Sequence, residues 1–134
     1  MSCNRAFLQD TSKRATTWCG TCDKCLFTDL VLAPFIPEAA LSSVFSGREP
    51  IADATRRGDL EVLVGLTESP KPFECVGDTG ECATALVAAA ARPDRAAQHH
   101  LGELAARCSA RPLDELLVAS GPTNAIAHAT RDLL

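Results

Sequence analysis

Apolar residues recur at helical spacing along most of this chain. After the cysteines near its start, apolar residues three or four positions apart predict a helix that Pro34 ends or kinks. Pro37 in a first turn and Gly47 behind an apolar stretch predict a short second helix. Asp59 is the predicted N-cap of an apolar third helix. No stretch alternates convincingly as a strand would, so the pattern predicts a mainly α fold.

The second half of the chain is rich in alanine and predicts further helices behind one loop. Residues 69–80 contain two prolines and two glycines, which indicates a loop or an irregular strand. The helices predicted after this loop cover about 79–92, 93–108, 113–119 and 124–133.

Seven cysteines are the strongest chemical signal, and four of them crowd the first 25 residues. Cys19, Cys22 and Cys25 form two overlapping C-x-x-C pairs, and Cys3 lies upstream of them. An odd count without a secretion signal does not suit a disulfide framework, whereas this spacing suits a metal. Four thiolates around one zinc ion leave no place for water, which makes such a site structural. We therefore predict a zinc site with these four ligands; an iron–sulfur cluster and reduced thiols without metal are the alternatives.

This site divides the predicted organisation in two. Residues 1–36 form a four-cysteine zinc knuckle with the first helix, and residues 37–134 form a small helical region with a functional loop at 69–80. Trp18, beside Cys19, is expected to shield the metal from solvent. Cys82 and Cys108 are predicted to be buried helix residues. The three histidines have no acidic or serine partner at catalytic spacing, so we expect them on the surface.

Composition and charge narrow the class of protein. The 134 residues are 46% hydrophobic and 22% charged, which suits one folded domain. A net charge of −4 argues against a nucleic-acid-binding face. No apolar run approaches the roughly 20 residues of a membrane span, and no signal-peptide core is present, so a cytoplasmic protein is expected. The first 25 residues carry a net charge of +2, which indicates either an anionic partner or cations that balance thiolates.

Four segments together resemble a known family. They are SCNRAF at 2–7, WCGTCDKCLF at 18–27, LVLAPF at 30–35 and KPFECVG at 71–77. In this order they resemble the carboxy-terminal part of the UDP-N-acetyl-α-D-muramoyl-L-alanyl-L-glutamate epimerase family. The W-C-G-x-C-x-K-C box alone is shared with other adenylating proteins, including deazaguanine synthases, and the last segment makes the resemblance more specific. Asp23 departs from the proline usual in the family, although both residues suit a helix start.

The resemblance implies an ATP- and Mg²⁺-dependent inversion of the terminal L-glutamate of a UDP-linked muramoyl dipeptide. An α-proton beside a carboxylate is a poor acid, because the carbanion would form next to an existing negative charge. Activation of that carboxylate as an acyl adenylate removes the charge. A base then takes the proton, an acid returns one on the opposite face, and hydrolysis releases AMP.

This chain lacks the glycine-rich phosphate loop that the nucleotide-binding part of such an enzyme should carry, because its glycines are isolated. We therefore expect a carboxy-terminal portion, inactive without a missing amino-terminal half or a separate ATP-binding subunit. The alternative is a noncatalytic, zinc-stabilised interaction module that docks on such a subunit.

Two residues in the predicted functional loop are candidates for the acid and the base. Glu74 and Cys75 are adjacent, and with suitably tuned pKa values they could work on an α-carbon; the plain alternative is a solvated glutamate beside a buried cysteine. Lys71 and Arg5 are candidates for binding a substrate phosphate or carboxylate. Arg5 could instead neutralise the neighbouring thiolates, and Lys71 could be an ordinary surface lysine.

Overall fold

Helices form all of the regular structure in the residues that the computed structural model describes, namely 3–14, 16–70 and 77–114. Within those ranges the α-helices are α1 (Asp23–Leu32), α2 (Glu38–Val44), α3 (Arg57–Leu63), α4 (Thr79–Ala90) and α5 (His99–Ala105). Short 3-10 turns cover Asn4–Phe7, Thr11–Lys13, Pro50–Ala52, Ala54–Arg56 and Pro93–Arg95. The predicted mainly α fold is therefore confirmed, while the predicted boundary at residue 36 stays a prediction.

The first three helices follow the sequence pattern, with one correction. α1 ends two residues before Pro34, as predicted. The third helix begins at Arg57, so Asp59 lies in its first turn and is not its cap. The capping residue lies upstream of Asp59 because a 3-10 turn at Ala54–Arg56 leads directly into α3. Asp53 caps that turn by accepting a hydrogen bond from the Thr55 amide at 3.1 Å.

The later helices are partly as predicted. α4 begins at Thr79 behind a capping box, in which Asp78 accepts from the Glu81 amide and Glu81 accepts from the Asp78 amide. The helix predicted from Pro93 onward is wrong over its first turns, because a 3-10 turn and the non-helical Gln98 precede α5. Residues 113–114 are helical, and the remainder of the last two predicted helices lies outside the described residues.

The core lies where α1, α4 and α5 meet. α1 contacts α4, and α4 contacts α5. The buried leucines of the helices are Leu26, Leu30, Leu41, Leu60, Leu63, Leu86, Leu101 and Leu104. Small buried alanines on α4, including Ala85 and Ala89, let its neighbours pack closely against it. None of the helices described is both long and apolar enough to cross a bilayer.

A buried polar centre lies inside this apolar core. The Arg95 guanidinium is hydrogen-bonded and ion-paired to Glu49, and both side chains are fully buried. Asp29 of α1 is also fully buried, and its Oδ2 accepts a hydrogen bond from the Ile51 amide at 2.8 Å. The polar centre therefore joins α1 to the 3-10 turns at Pro50–Ala52 and Pro93–Arg95.

Asp29 makes the stability of the protein depend on pH. Burial raises the pKa of Asp29 to about 8; the Ile51 hydrogen bond and Arg95 oppose this, and the charge of Glu49 adds to it. In the unfolded chain an aspartate ionises near pH 4. The folded state therefore binds more protons between these values, and the free energy of unfolding falls as pH rises from about 4 to about 8.

We expect Asp29→Asn to flatten this pH dependence, because asparagine keeps an oxygen for the Ile51 amide but does not titrate. Between pH 5.5 and pH 8, the wild type should lose about 3 kcal/mol more of its unfolding free energy than the variant. Urea unfolding of both proteins at several pH values measures the difference between their unfolding free energies. The titration of all other groups is common to both proteins and cancels in this difference. Parallel pH curves would show that Asp29 is charged in the folded protein.

Candidate metal centre

The four amino-terminal cysteines converge on one point. Cys3 precedes the first 3-10 turn, Cys19 and Cys22 lie in the loop before α1, and Cys25 lies in the first turn of α1. Their four Sγ atoms all lie within 4.8 Å of one another. The Sγ–Sγ distances are 3.9 Å for Cys3–Cys22, 3.7 Å for Cys19–Cys25 and 3.5 Å for Cys22–Cys25. The predicted ligand set is thus brought together.

These distances suit a single tetrahedral ion. Thiolates about 2.3 Å from a central zinc form a tetrahedron with edges of about 3.8 Å. An iron–sulfur cluster places several atoms between its cysteine ligands and therefore needs more widely spaced sulfurs. A disulfide needs a much shorter separation, and all four cysteines are free. The arrangement is able to hold one tetrahedral metal ion.

A tight loop shapes the entrance to this cluster. Gly20 has a φ of +68°, a left-handed conformation that favours glycine. A Cβ at this position would also lie 3.1 Å from the carbonyl oxygen of Phe45. The next residue, Thr21, donates from both its amide and its hydroxyl to Cys19 Sγ, each at 3.4 Å. The loop conformation therefore supplies two hydrogen bonds to one thiol.

The thiols of Cys19, Cys22 and Cys25 differ in how readily they ionise. Burial raises the pKa of Cys19, but the two bonds from Thr21, with others from Cys3 and the Cys22 amide, outweigh it and lower the pKa to about 6. Burial raises the pKa of both Cys22 and Cys25 above the ordinary value, and for Cys25 the neighbouring thiols raise it further. A bound cation would favour the thiolate form of all four.

Arg56 fastens the cluster to the helical body. Its guanidinium donates to the Cys22 carbonyl at 3.4 Å, to Asp23 Oδ1 at 3.2 Å and to Asp59 Oδ2 at 2.9 Å. These bonds connect the first turn of α1 to α3, and the Arg56 side chain is only 12% exposed. Sequence reasoning missed Arg56, because nothing in its local pattern indicates a partner 33 residues away.

Trp18 lies beside the cluster, packed on the end of α2. Its ring contacts Phe45 edge to face with centroids 5.7 Å apart. Ser46 Oγ donates to the Trp18 carbonyl at 3.1 Å. Trp18 is half-buried, and its predicted role as a solvent shield for a metal stays a prediction.

The other predicted site residues are Arg5, Lys71, Glu74 and Cys75. Arg5 is exposed in the 3-10 turn after Cys3, and its role in substrate binding stays a prediction. Lys71, Glu74 and Cys75 lie outside the described residues, so their predicted roles also stay predictions.

The remaining cysteines and histidines give a mixed outcome. Cys82 is buried in α4, as predicted, whereas Cys108 is half-buried beyond the end of α5. His99 is exposed as predicted. The prediction for His100 is wrong: the side chain is half-buried, and its Nε2 lies 2.8 Å from the carbonyl oxygen of Ile51, which holds α5 to the polar centre. His128 lies outside the described residues.

Comparison with known proteins gives one consistent relationship. Residues 1–117 match the model of the MurL C-terminal domain family. A UDP-N-acetyl-α-D-muramoyl-L-alanyl-L-glutamate epimerase of Xanthomonas oryzae pv. oryzae is 42% identical over 93 residues, which are 69% of this chain and 20% of the relative. Proteins of the same name from a Micromonospora species and Salinispora tropica are each 43% identical over 86 residues, which are 63% of this chain and 18% of the relative.

The resemblance found in the sequence is thereby confirmed, and it concerns the carboxy-terminal part of the relatives. The chain spans about a fifth of the length of the curated relatives it matches. No solved structure matches it.

Proposed function

The chain belongs to the MurL C-terminal domain family, and we propose that it forms the metal-stabilised carboxy-terminal part of a glutamate epimerase. The substrate of that enzyme would be UDP-N-acetyl-α-D-muramoyl-L-alanyl-L-glutamate, after which the relatives are named. The observation that carries this proposal is the family match over residues 1–117. We also propose a cytoplasmic location and a role in making peptidoglycan precursors.

We further propose that Cys3, Cys19, Cys22 and Cys25 bind one zinc ion. The tetrahedral spacing of their sulfurs supports a single ion, and an all-sulfur ligand set suits zinc. Such an ion is structural, because four protein ligands leave no position for water or substrate. It would join the segment at Cys3 to α1 and thereby contribute to folding.

The chemistry of the inversion explains why this chain would need a second part. The α-proton of glutamate becomes acidic only when the adjacent carboxylate loses its negative charge. In the proposed enzyme, ATP with Mg²⁺ supplies this activation. We assign its binding to the part of the epimerase that this chain does not match, because the glycines here form no phosphate loop.

We propose that this chain contributes the proton-transfer groups. Glu74 and Cys75 would act as the base and the acid on opposite faces of the α-carbon, and Lys71 and Arg5 would bind anionic groups of the substrate. A base that removes one proton and an acid that returns another on the opposite face invert the centre without breaking any other bond of the α-carbon.

The described residues on either side of the 71–76 segment support a link between this segment and the four cysteines. Gly77 lies against α1, since a Cβ at this position would be 3.4 Å from the Phe27 ring. Pro70 shares a cleft of about 210 Å³ with Asp23 and Leu26 of α1. Both ends of the segment therefore adjoin the helix whose first turn carries Cys25.

A chimera tests the proposed function. Residues 1–117 replace the matching carboxy-terminal region of the Xanthomonas oryzae epimerase, and the product is incubated with its substrate, ATP and Mg²⁺. We expect D-glutamate to appear in the peptide, and the variants Glu74→Gln and Cys75→Ser to lose at least about 100-fold in rate. Cys108→Ala, which alters a cysteine outside the cluster, is the matched control and should retain the activity.

The contradicting result is a folded, metal-loaded chimera that makes no D-glutamate while the unmodified relative does. That outcome would favour the noncatalytic module, for which only binding to the remaining part of the enzyme is expected.

A further inference from the structure

An aromatic side chain is displayed at the corner between α1 and α2. Phe35 is 54% exposed, the highest value among the large hydrophobic residues of the described part of the chain. Val44, at the end of α2, follows with 45%. A large apolar side chain in water forgoes the free energy of burial, which a partner that covered it would recover.

The backbone of this corner is held firmly. Arg92 donates to the Pro34 carbonyl at 3.1 Å, and Arg95 donates to the Ile36 carbonyl at 3.1 Å. The carbonyls on both sides of Phe35 are therefore fixed by arginines from one neighbouring segment. Because the backbone at Phe35 is already fixed, its main chain has little conformational entropy left to lose on binding. This property is typical of an interface anchor.

The exposed residues of α2 carry no charge, and its one charged residue is the half-buried Glu38 at its first position. Its exposed residues are Ala39, Ala40, Ser43 and Val44. Within this set, Ala39 and Ser43 are four residues apart, and so are Ala40 and Val44, so the set forms two neighbouring rows on the helix surface. Leu41 of the same helix is buried in the core. A helix that faces water normally carries charged residues on its outer side, and interface cores are depleted of them. We call Phe35 together with these four residues the α2 face.

This face continues into the metal centre. Val44 precedes Phe45, whose ring packs on Trp18 and whose carbonyl oxygen is close to Gly20. A partner on the α2 face would therefore lie next to the loop that carries Cys19 and Cys22. This position suits a contact that fixes the orientation of the metal-binding part relative to the rest of an enzyme.

We propose that the α2 face docks on the remaining part of the epimerase, the four-fifths of the relatives' length that this chain does not match. The inference rests on the proposed function and names the surface that joins the two parts. The length supports this occupant, because a domain that is about a fifth of an enzyme must contact the other parts to share one substrate. The face would meet an apolar surface of that larger part.

Binding, measured apart from turnover, tests the proposal. The remaining part of the Xanthomonas oryzae epimerase is produced separately and titrated with this chain by calorimetry. We expect Phe35→Glu and Val44→Glu each to weaken binding, with Phe35→Glu raising Kd at least about 30-fold. Leu8→Glu is the matched control, since Leu8 is an exposed large hydrophobic residue outside the α2 face, and it should leave Kd within about threefold.

Four results would overturn the proposal, and the first three concern binding. These are no binding by the wild type, equal weakening by Leu8→Glu, or a Phe35→Glu variant that binds normally. A fourth is a wild-type dimer in ultracentrifugation that Phe35→Glu dissociates, because it would assign the face to a second copy. Circular dichroism and metal content should match the wild type in every variant, since all three residues are exposed.

The two proposals fail in distinguishable ways. An inert chimera with normal binding to the separate part would refute the catalytic role but leave the docking surface intact. An active chimera whose Phe35→Glu variant binds and turns over normally would refute the docking surface alone.

Discussion

Cys22→Ser should abolish binding of the proposed zinc ion and unfold the amino-terminal segment. Cys22 Sγ lies 3.9 Å from Cys3 Sγ and 3.5 Å from Cys25 Sγ, so its loss removes one of the four ligands of the tetrahedron. Structural zinc sites contribute roughly 10–16 kcal/mol of apparent binding free energy, and in small domains this is folding free energy. A three-ligand site with an open position should hold zinc much more weakly.

The measurement is metal content after dialysis against a mild chelator, combined with far-UV circular dichroism. We expect the wild type and Cys108→Ala to retain zinc, and Cys22→Ser to retain less than about a tenth of it. Cys108 is the appropriate control because it is a half-buried free cysteine outside the cluster. Full zinc occupancy and an unchanged melting temperature in Cys22→Ser would contradict the proposed ligand set.

Arg95→Met should produce the second large effect. We expect the variant to lose folding stability but to bind metal as the wild type does. Arg95 and Glu49 form an ion pair whose side chains are both fully buried. Removing one partner leaves the other as a buried charge, which typically costs 3–5 kcal/mol. Burial already raises the pKa of Glu49, and without Arg95 this carboxyl would have to take up a proton. Urea unfolding at pH 7 should therefore show a loss of about 4 kcal/mol.

A double variant separates the energetic effect of the lost ion pair from the effect of the cavity that a shortened side chain leaves. Arg95→Met with Glu49→Leu removes both charges and should recover much of the stability lost in Arg95→Met. The exposed pair Arg57–Glu103 is the comparison, and Arg57→Met should have little effect. If Arg95→Met unfolds as the wild type does, or the double variant recovers nothing, the buried pair does not have the role assigned to it.

The parts of the fold that the sequence predicts depend on local signals. The closely spaced cysteines Cys19, Cys22 and Cys25 indicate a shared site by their spacing alone, and their thiols do meet. The start of α4 is predictable because its capping residue and the partner Glu81 are three positions apart. Pro34 marks the end of α1 for an equally local reason.

The parts that sequence reasoning missed depend on distant pairings. Arg95 pairs with Glu49 across 46 residues, and His100 lies against Ile51 across 49. A charged residue within a polar stretch usually indicates a solvated surface, so nothing local shows that Arg95 is buried. Arg95 also lies in the 3-10 turn that replaces the start of the helix predicted from Pro93 onward.

X-ray absorption at the metal edge, after purification without chelators, tests whether the four cysteines hold one zinc ion. We expect one zinc ion per chain with four sulfur neighbours at about 2.3 Å and no nitrogen or oxygen ligand. Iron with the visible absorbance of a cluster, or zinc bound by fewer than four sulfurs, would contradict a closed site built from Cys3, Cys19, Cys22 and Cys25.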